Sequence, residues 1–501
     1  MKVCRIRNLA AALMLALVLS AAPTRADDLA FSHVTVVDVV EGRLVRDRVV
    51  RVAGGRIVEV APAAGARIPK GTRVVDARGK FLIPGLWDMH THLLGGVPPG
   101  CPEVTFPLMV AHGITGVREV GSYLDFLYAW REEVESGRSV GPRIVGTDRL
   151  IDGVPPVYPG IASVATTPGN ARQTVDILSR RGADFVKAYE MLSRDAFFAL
   201  VEQAKKSGLP VVAHVPLSVL AGEASDAGVR SFEHLRNIEF ACSREADTLL
   251  AERIALLEAG VGRVGSELRS EIHSAQRTRA YDTYDPGRCT ALLRKFAANG
   301  TWQTPTLFLN TREVRRPDLL EDVRERLRWV PDRQRAEWEA WTKGVTSMKP
   351  EAAAALRRRA DWEVQLVRRM NEEGVGLLAG TDVATPWTVP GAALHDELSA
   401  LVEAGLTPLE SLRTATLNPA RYFEKTGEFG AVAPGMAADL VLIDGDPLAD
   451  IRNTRRISGV VANGRYLDRP ALDRMLAEAE RLARDGGHDP IHRPGRGRPS
   501  K

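Results

Sequence analysis

The run Phe81-Leu82-Ile83-Pro84-Gly85-Leu86-Trp87-Asp88-Met89-His90-Thr91-His92 ends in two histidines one residue apart. On a strand, residues i and i+2 share a face, so His90 and His92 project together from the strand's C-terminal end. Two neutral imidazoles side by side are half of a divalent metal site. Later strand-like runs supply further groups of the same kind. Lys187 lies in the run 184–189, His214 ends 211–214, His234 ends 231–234, and Asp382 ends 377–382. Four of the ten histidines, one lysine and one aspartate thus occupy matching positions on different strands. Such a set points to metal chemistry and proton transfer.

The elements that must position these groups are apolar strands alternating with helical stretches. Strands are also expected over 86–90, 114–119, 143–146 and 302–307, and helical periodicity is clear over 170–181 and 194–207. Eight strands alternating with helices predict an α/β chain with a (β/α)8 TIM-type barrel over residues 81–428, its reacting groups at the C-terminal strand ends. The long charged stretches at about 240–300 and 310–374 read as helical insertions. Thr407-Pro408-Leu409-Glu410 is a capping box with proline at the first helical position. Residues 27–80 alternate as strands around the Gly54-Gly55 turn, and β texture returns over 429–470. A small β-sandwich-like domain built from both chain ends is therefore expected.

At 501 residues and 45% hydrophobic content the chain can bury a large core. Residues 1–26 carry a basic start, the apolar run Leu9 to Ala22 and Thr24-Arg25-Ala26, the pattern of a secretory signal peptide rather than a membrane span. Its removal takes away Lys2, Arg5, Arg7 and Arg25 and no acid, so the formal charge of +4 falls to zero and no nucleic-acid partner is implied. A periplasmic or secreted location is expected, with no stable membrane insertion after cleavage. Cys101, Cys242 and Cys289 then remain, and Cys242–Cys289 is the expected disulfide in an oxidising compartment. The Gly-, Pro- and Arg-rich stretch 484–501 reads as a disordered tail.

With these pieces assembled, the sequence resembles the amidohydrolase superfamily of metal-dependent hydrolases. The resemblance rests on Pro84-Gly85 with Asp88-x-His90-x-His92, Gly182-Ala183-Asp184-Phe185-Val186-Lys187, Val212-Ala213-His214, Phe232-Glu233-His234, Ala379-Gly380-Thr381-Asp382 and Pro434-Gly435-Met436-Ala437-Ala438-Asp439. The lysine on the fourth strand is similar to the branch with a carboxylated lysine and two metals. Leu394-His395-Asp396-Glu397-Leu398 is similar to imidazolonepropionase-like proteins, including dipeptidases acting on Xaa-Pro, Xaa-Arg or Xaa-Lys. The resemblance implies that His90, His92 and Asp382 hold one divalent ion, that His214 and His234 hold the other, and that Lys187, as N6-carboxylysine, bridges both. Zinc is the first choice, with manganese and cobalt open. A hydroxide bridging the two ions would attack the scissile carbonyl, and Asp382 would pass its proton to the leaving nitrogen.

For substrate contact, Tyr189 lies two residues past Lys187 on the same face and would reach the substrate or pack in the barrel. His395, just past the eighth strand, would line the pocket or begin a helix. Arg118, ending the second strand, would capture a carboxylate or pair with Glu119 or another acid. His112 reads as structural, and His273, His488 and His492 receive no role. The expected reaction is cleavage of a small-molecule amide, in a dipeptide or an N-acyl amino acid. A cyclic amide, lactone or xenobiotic amide of mycotoxin type is the alternative, and a catalytically silent metal-binding protein the rival from another class. Oligomeric state has no signature in the sequence.

Overall fold

The computed structural model describes residues 28–93, 102–315, 323–383 and 385–484. The signal segment, Cys101 and the tail beyond Arg484, with His488 and His492, lie outside the described residues.

The chain begins with β1 (Leu29–Asp38), β2 (Arg43–Ala53), β3 (Arg56–Pro62), β4 (Arg73–Asp76) and β5 (Phe81–Pro84). The β2–β3 hairpin turns at Gly54-Gly55, both at positive φ (57° and 74°), a conformation that costs glycine no steric penalty. Leu29, Phe31, Val50, Val52 and Ile57 are buried together on one face of these strands.

Past Gly85 the texture changes to short, largely buried parallel strands. β6 (Leu86–Thr91), β7 (Ile114–Glu119) and β8 (Arg143–Gly146) form one parallel sheet. β9 (Leu150–Asp152), β10 (Ala162–Val164), β11 (Val186–Ala188), β12 (Val211–Ala213), β13 (Ser231–Glu233) and β14 (Trp302–Thr304) form a second, in the order β10-β9-β11-β12-β13-β14. The two sheets meet on both sides. Asp184 N donates to Gly146 O at 3.1 Å on one side. On the other, residues 377–383 bridge Gln303 to Leu377 and Thr91 to Val383. This is an α/β arrangement consistent with a TIM-type barrel.

Two expected strands differ in detail. Residues 377–382 pair only through single bridges, because Asp382 has φ 58° and leaves the extended region. The seventh strand stops at Thr304, since Thr306 is at φ 47° and a helix begins at Leu307. The 377–383 segment can lie so close to β6 because residue 380 is glycine. A Cβ there would stand 2.7 Å from His90 Cβ and 2.6 Å from Thr304 Cγ2.

The chain ends with β15 (Leu440–Ile443), β16 (Ile457–Ala462), β17 (Arg465–Asp468) and the helix Arg469–Arg484. These last three strands join the first five in an eight-stranded sheet, ordered β17-β16-β15-β5-β1-β2-β3 with β4 on β1. β5 thus lies between β1 and β15, and runs through Gly85 into β6.

Helices Ala246–Ala259, Gly265–Asp282 and Pro286–Asn299 lie between β13 and β14, and Asp332–Thr346 and Pro350–Glu372 follow β14. Cys242 and Cys289 are joined as a disulfide, with Cα atoms 4.4 Å apart. Thr407 and Glu410 form the capping box, each side chain accepting the other's backbone N–H.

Candidate metal centre

The ends of β6, β11, β12 and β13 and the 377–383 segment converge on one cluster. His90 Nε2 and His92 Nε2 lie 3.5 and 3.4 Å from Asp382 Oδ1, and His234 Nε2 lies 3.9 Å from Asp382 Oδ2. The His214 ring centre is 4.7 Å from that of His234, and His90 is 4.3 Å from His234. Ligand atoms of His90, His234 and Asp382 lie within 4.8 Å of one another, close enough to hold one metal ion. His90 is fully buried, whereas the side chains of Asp382 and His92 are 16% and 20% exposed. Solvent therefore reaches the cluster on the His92–Asp382 side.

Each histidine is oriented from behind through Nδ1. His90 Nδ1 is 2.6 Å from Glu233 Oε2, His214 Nδ1 is 3.0 Å from Glu190 Oε1, His234 Nδ1 is 2.7 Å from Thr306 Oγ1, and His92 Nδ1 is 3.3 Å from Gly121 O. With Nδ1 held outside, Nε2 is the atom left to meet an ion. Asp88 does not face the cluster as a ligand. It accepts from Thr381 Oγ1 (2.5 Å), Thr381 N (3.1 Å) and His90 N (3.2 Å), tying the Asp382 segment to β6. His234 and Asp382 both sit at left-handed φ, 59° and 58°, strain of the kind that persists where surrounding structure over-determines a functional position.

Burial sets the charges. It holds His90 and His234 well below the ordinary imidazole value and lowers His92 to about 4 and His214 to about 3; the Lys187 charge adds to it. All four are neutral at pH 7, the form that binds metal. Burial likewise lowers Lys187 to about 8 and raises Asp382 to about 7, the latter opposed by the Lys187 and Arg236 charges. Glu190 is held well below the usual carboxylate range: burial opposes its ionisation, but the His214 hydrogen bond and the Arg269 charge outweigh it.

Two buried atoms show that the donor set fits a metal. His90 Nε2 and Lys187 Nζ have no hydrogen-bond partner, a costly state for polar atoms that a bound cation or a modified lysine relieves. Among the described residues the Lys187 amine makes no ion pair with a carboxylate.

The sequence matches the amidohydrolase family over residues 81–467. The chain belongs to that family. Amidohydrolases generally use divalent metals and act on small molecules. Bottromycin amidohydrolase is similar along the whole chain, at 26% identity and a TM-score of 0.69, covering 94% of this chain and 93% of that one. A Xaa-Pro dipeptidase with methionine in its active site shares the fold at 18% identity, with a TM-score of 0.61 over 88% of this chain and all of that one. An adenine deaminase of Methanothrix thermoacetophila is 31% identical over 143 residues, 28% of this chain and 20% of that protein. The chain spans about a fifth or less of the curated relatives it matches first.

The amidohydrolase scaffold corrects two expectations about substrate contact. Arg118 is not open to a substrate carboxylate. Its Nε donates to Met89 O, Nη1 to Ser231 Oγ and Tyr422 OH, and Nη2 to Glu233 and Thr304 Oγ1, which accounts for all five N–H groups. His395 does not line the site. It faces the other side of its helix, with Nδ1 2.9 Å from Thr454 Oγ1 and Nε2 3.0 Å from His112 O. Tyr189 is buried beside the cluster, its ring centre 4.2 Å from that of His214. Sequence reasoning passed over Glu233, Glu190 and His273. His273 approaches Glu190 Oε2 at 3.5 Å and so belongs to the support behind His214.

Proposed function

We propose that the protein is a binuclear amidohydrolase that cleaves the amide bond of a dipeptide or an N-acyl amino acid. His90, His92 and Asp382 would hold one ion, His214 and His234 the other, and Lys187 as its carbamate would contribute an oxygen to both. The observation that carries this reading is the bare Lys187 Nζ, buried amid four neutral histidines and Asp382. An amine brought near neutrality by burial is the species that captures CO2. Two divalent ions, zinc first among the choices, would supply a Lewis acid for the carbonyl and a water acidic enough to attack it.

The chain's own groups do the rest. Asp382, reached by solvent and in contact with His90 and His92, would orient the attacking water, take its proton and deliver it to the leaving nitrogen. Glu233, Glu190 and Thr306 hold the imidazoles in one tautomer. Tyr189, its ring centre 4.2 Å from that of His214, would donate to the developing oxyanion. The likeness to bottromycin amidohydrolase along nearly the full length of both chains supports the amide reading. We read the barrel as closed, the eight-stranded sheet as the core of a small β-sandwich-like domain, and residues 1–26 as a cleaved signal directing the enzyme to the periplasm or outside the cell.

The test is metal-loaded enzyme screened against dipeptides and N-acyl amino acids, with cyclic amides, lactones and xenobiotic amides as the opposing panel, and metal content measured in parallel. Near two ions per chain and turnover confined to the first panel are expected. One ion per chain, or turnover confined to the second panel, discards the reading.

A further inference from the structure

The turn after β13 carries an arginine that makes no ion pair among the described residues, Glu190 acting on it only through space. His234, Leu235 and Asn237 have φ of 59°, 57° and 64°, so Arg236 sits within a strained turn. The turn is pinned on every side. His234 N donates to Thr304 O at 2.8 Å and Asn310 Nδ2 to His234 O at 3.3 Å. Asn237 Nδ2 donates to Val215 O at 2.6 Å, and His273 Nε2 lies 3.1 Å from Asn237 Oδ1. The backbone that carries Arg236 is therefore fixed in place.

Three more guanidiniums surround Arg236, and each has its own carboxylate. Arg269 meets Glu190 at 3.4 Å, Arg277 meets Glu239 at 2.7 Å, and Arg359 meets Glu363 at 2.7 Å. Arg236 has no ion pair among the described residues, and its buried Nε has no hydrogen-bond partner. Its charge nevertheless acts on Asp382, His214 and His234. The other arginines acting on the cluster are engaged: Arg118 has no donor left, and Arg312 donates to Leu309 O and Pro386 O. A partly buried guanidinium with no ion-pair contact, set among the Arg359, Arg269 and Arg277 charges and opposed only at a distance by Glu190, gains when an anion comes to it.

We propose that Arg236 receives the substrate's free carboxylate through its planar fork, and so fixes the distance from that carboxylate to the amide being cut. The fork matches a carboxylate in bidentate geometry, which a point-charge ammonium does not. This rests on the amide-hydrolase reading of the site, and it assigns to Arg236 the role that the sequence suggested for Arg118.

The experiment compares wild type with Arg236→Met and Arg236→Lys on dipeptides and N-acetyl amino acids and on their C-terminal amides. Calorimetric binding of free amino acids and amino-acid amides is measured alongside. Wild type should prefer the acids, and Arg236→Met should collapse the acid-to-amide KM ratio by about thirty-fold or more, with Arg236→Lys intermediate. Free amino acids should lose binding to the Met variant in parallel. An unchanged ratio in a variant with normal metal content and circular dichroism overturns the proposal. So does a wild-type enzyme that treats acid and amide alike, which leaves the hydrolase reading standing. If no amide is cut yet amino acids bind in an Arg236-dependent way, the hydrolase reading fails and the carboxylate site holds. Should Arg236→Met not fold, the Lys variant and the wild-type ratio decide by the same criteria.

Discussion

Arg118 and Glu233 form an ion pair with neither side chain exposed, Nη2 lying 2.8 and 2.9 Å from the two carboxylate oxygens, while Glu233 Oε2 also meets His90 Nδ1 at 2.6 Å. One carboxylate thus ties a structural cation to a histidine of the candidate metal centre. Arg118→Met leaves Glu233 buried and uncompensated, so denaturant unfolding should show a loss of about 3–5 kcal/mol. In whatever folded fraction remains, the acid-to-amide preference should persist, which separates Arg118 from substrate binding.

Glu233→Gln keeps the shape but weakens the hold on His90. Metal affinity should fall roughly 10- to 100-fold, the usual effect of losing a carboxylate behind a ligand histidine. Competition with a chelator of known affinity measures it. Unchanged affinity would mean that Glu233 serves only Arg118.

Lys187→Ala should lose activity together with part of its metal, and formate or acetate should restore some of both by supplying the missing oxygen. Metal analysis and turnover, with and without added acid, are the measurements. Full activity in this variant would discard the carbamate.

Asp382→Asn should fold normally, because asparagine tolerates the left-handed backbone at this position. Turnover should fall by about 10²–10⁴-fold, the ordinary contribution of a positioned acid–base group. Turnover near wild type would assign the proton transfer to another residue.

Glu397 provides a pH test away from the ligands. It is fully buried, accepts from Leu307 N and Phe308 N at 2.9 and 2.7 Å, and is raised from 4.5 to about 8 by burial, against those two hydrogen bonds. With the folded value above the unfolded one, its stabilisation is complete below 4.5 and is lost as pH rises through about 8. Stability against pH should therefore fall more steeply from pH 6 to 9 in wild type than in Glu397→Gln, by on the order of 2 kcal/mol. Parallel curves would refute the assignment.

The candidate cluster is legible in sequence because strand periodicity and barrel geometry both act locally. His90 and His92 share a face at spacing two, His214, His234 and Asp382 each close a recognisable apolar run, and Lys187 lies within one. Glu233 was not legible for a local reason. Strict alternation turns it away from His234, but left-handed backbone at His234 ends the alternation and lets both serve the cluster. Arg118 and His395 stay open in sequence between substrate and structural roles because sequence shows that a residue stands near a strand end, not which partners tertiary packing brings. Only the fold sets Glu233 and Tyr422 against Arg118, or Thr454 against His395. His273 reaches Glu190 through an insertion helix whose docking leaves no periodic trace.

β5, the strand immediately before the first ligand strand, has β1 on one edge and β15 on the other. Synthesis runs from the N-terminus, so during translation β5 has its partner β1 at once but must wait more than three hundred residues for β15. A chain stopped short of Leu440 would carry every metal ligand and still leave that edge of β5 unpaired beside them. The sheet is completed only when the C-terminal strands emerge, which makes its closure a late, long-range step in folding.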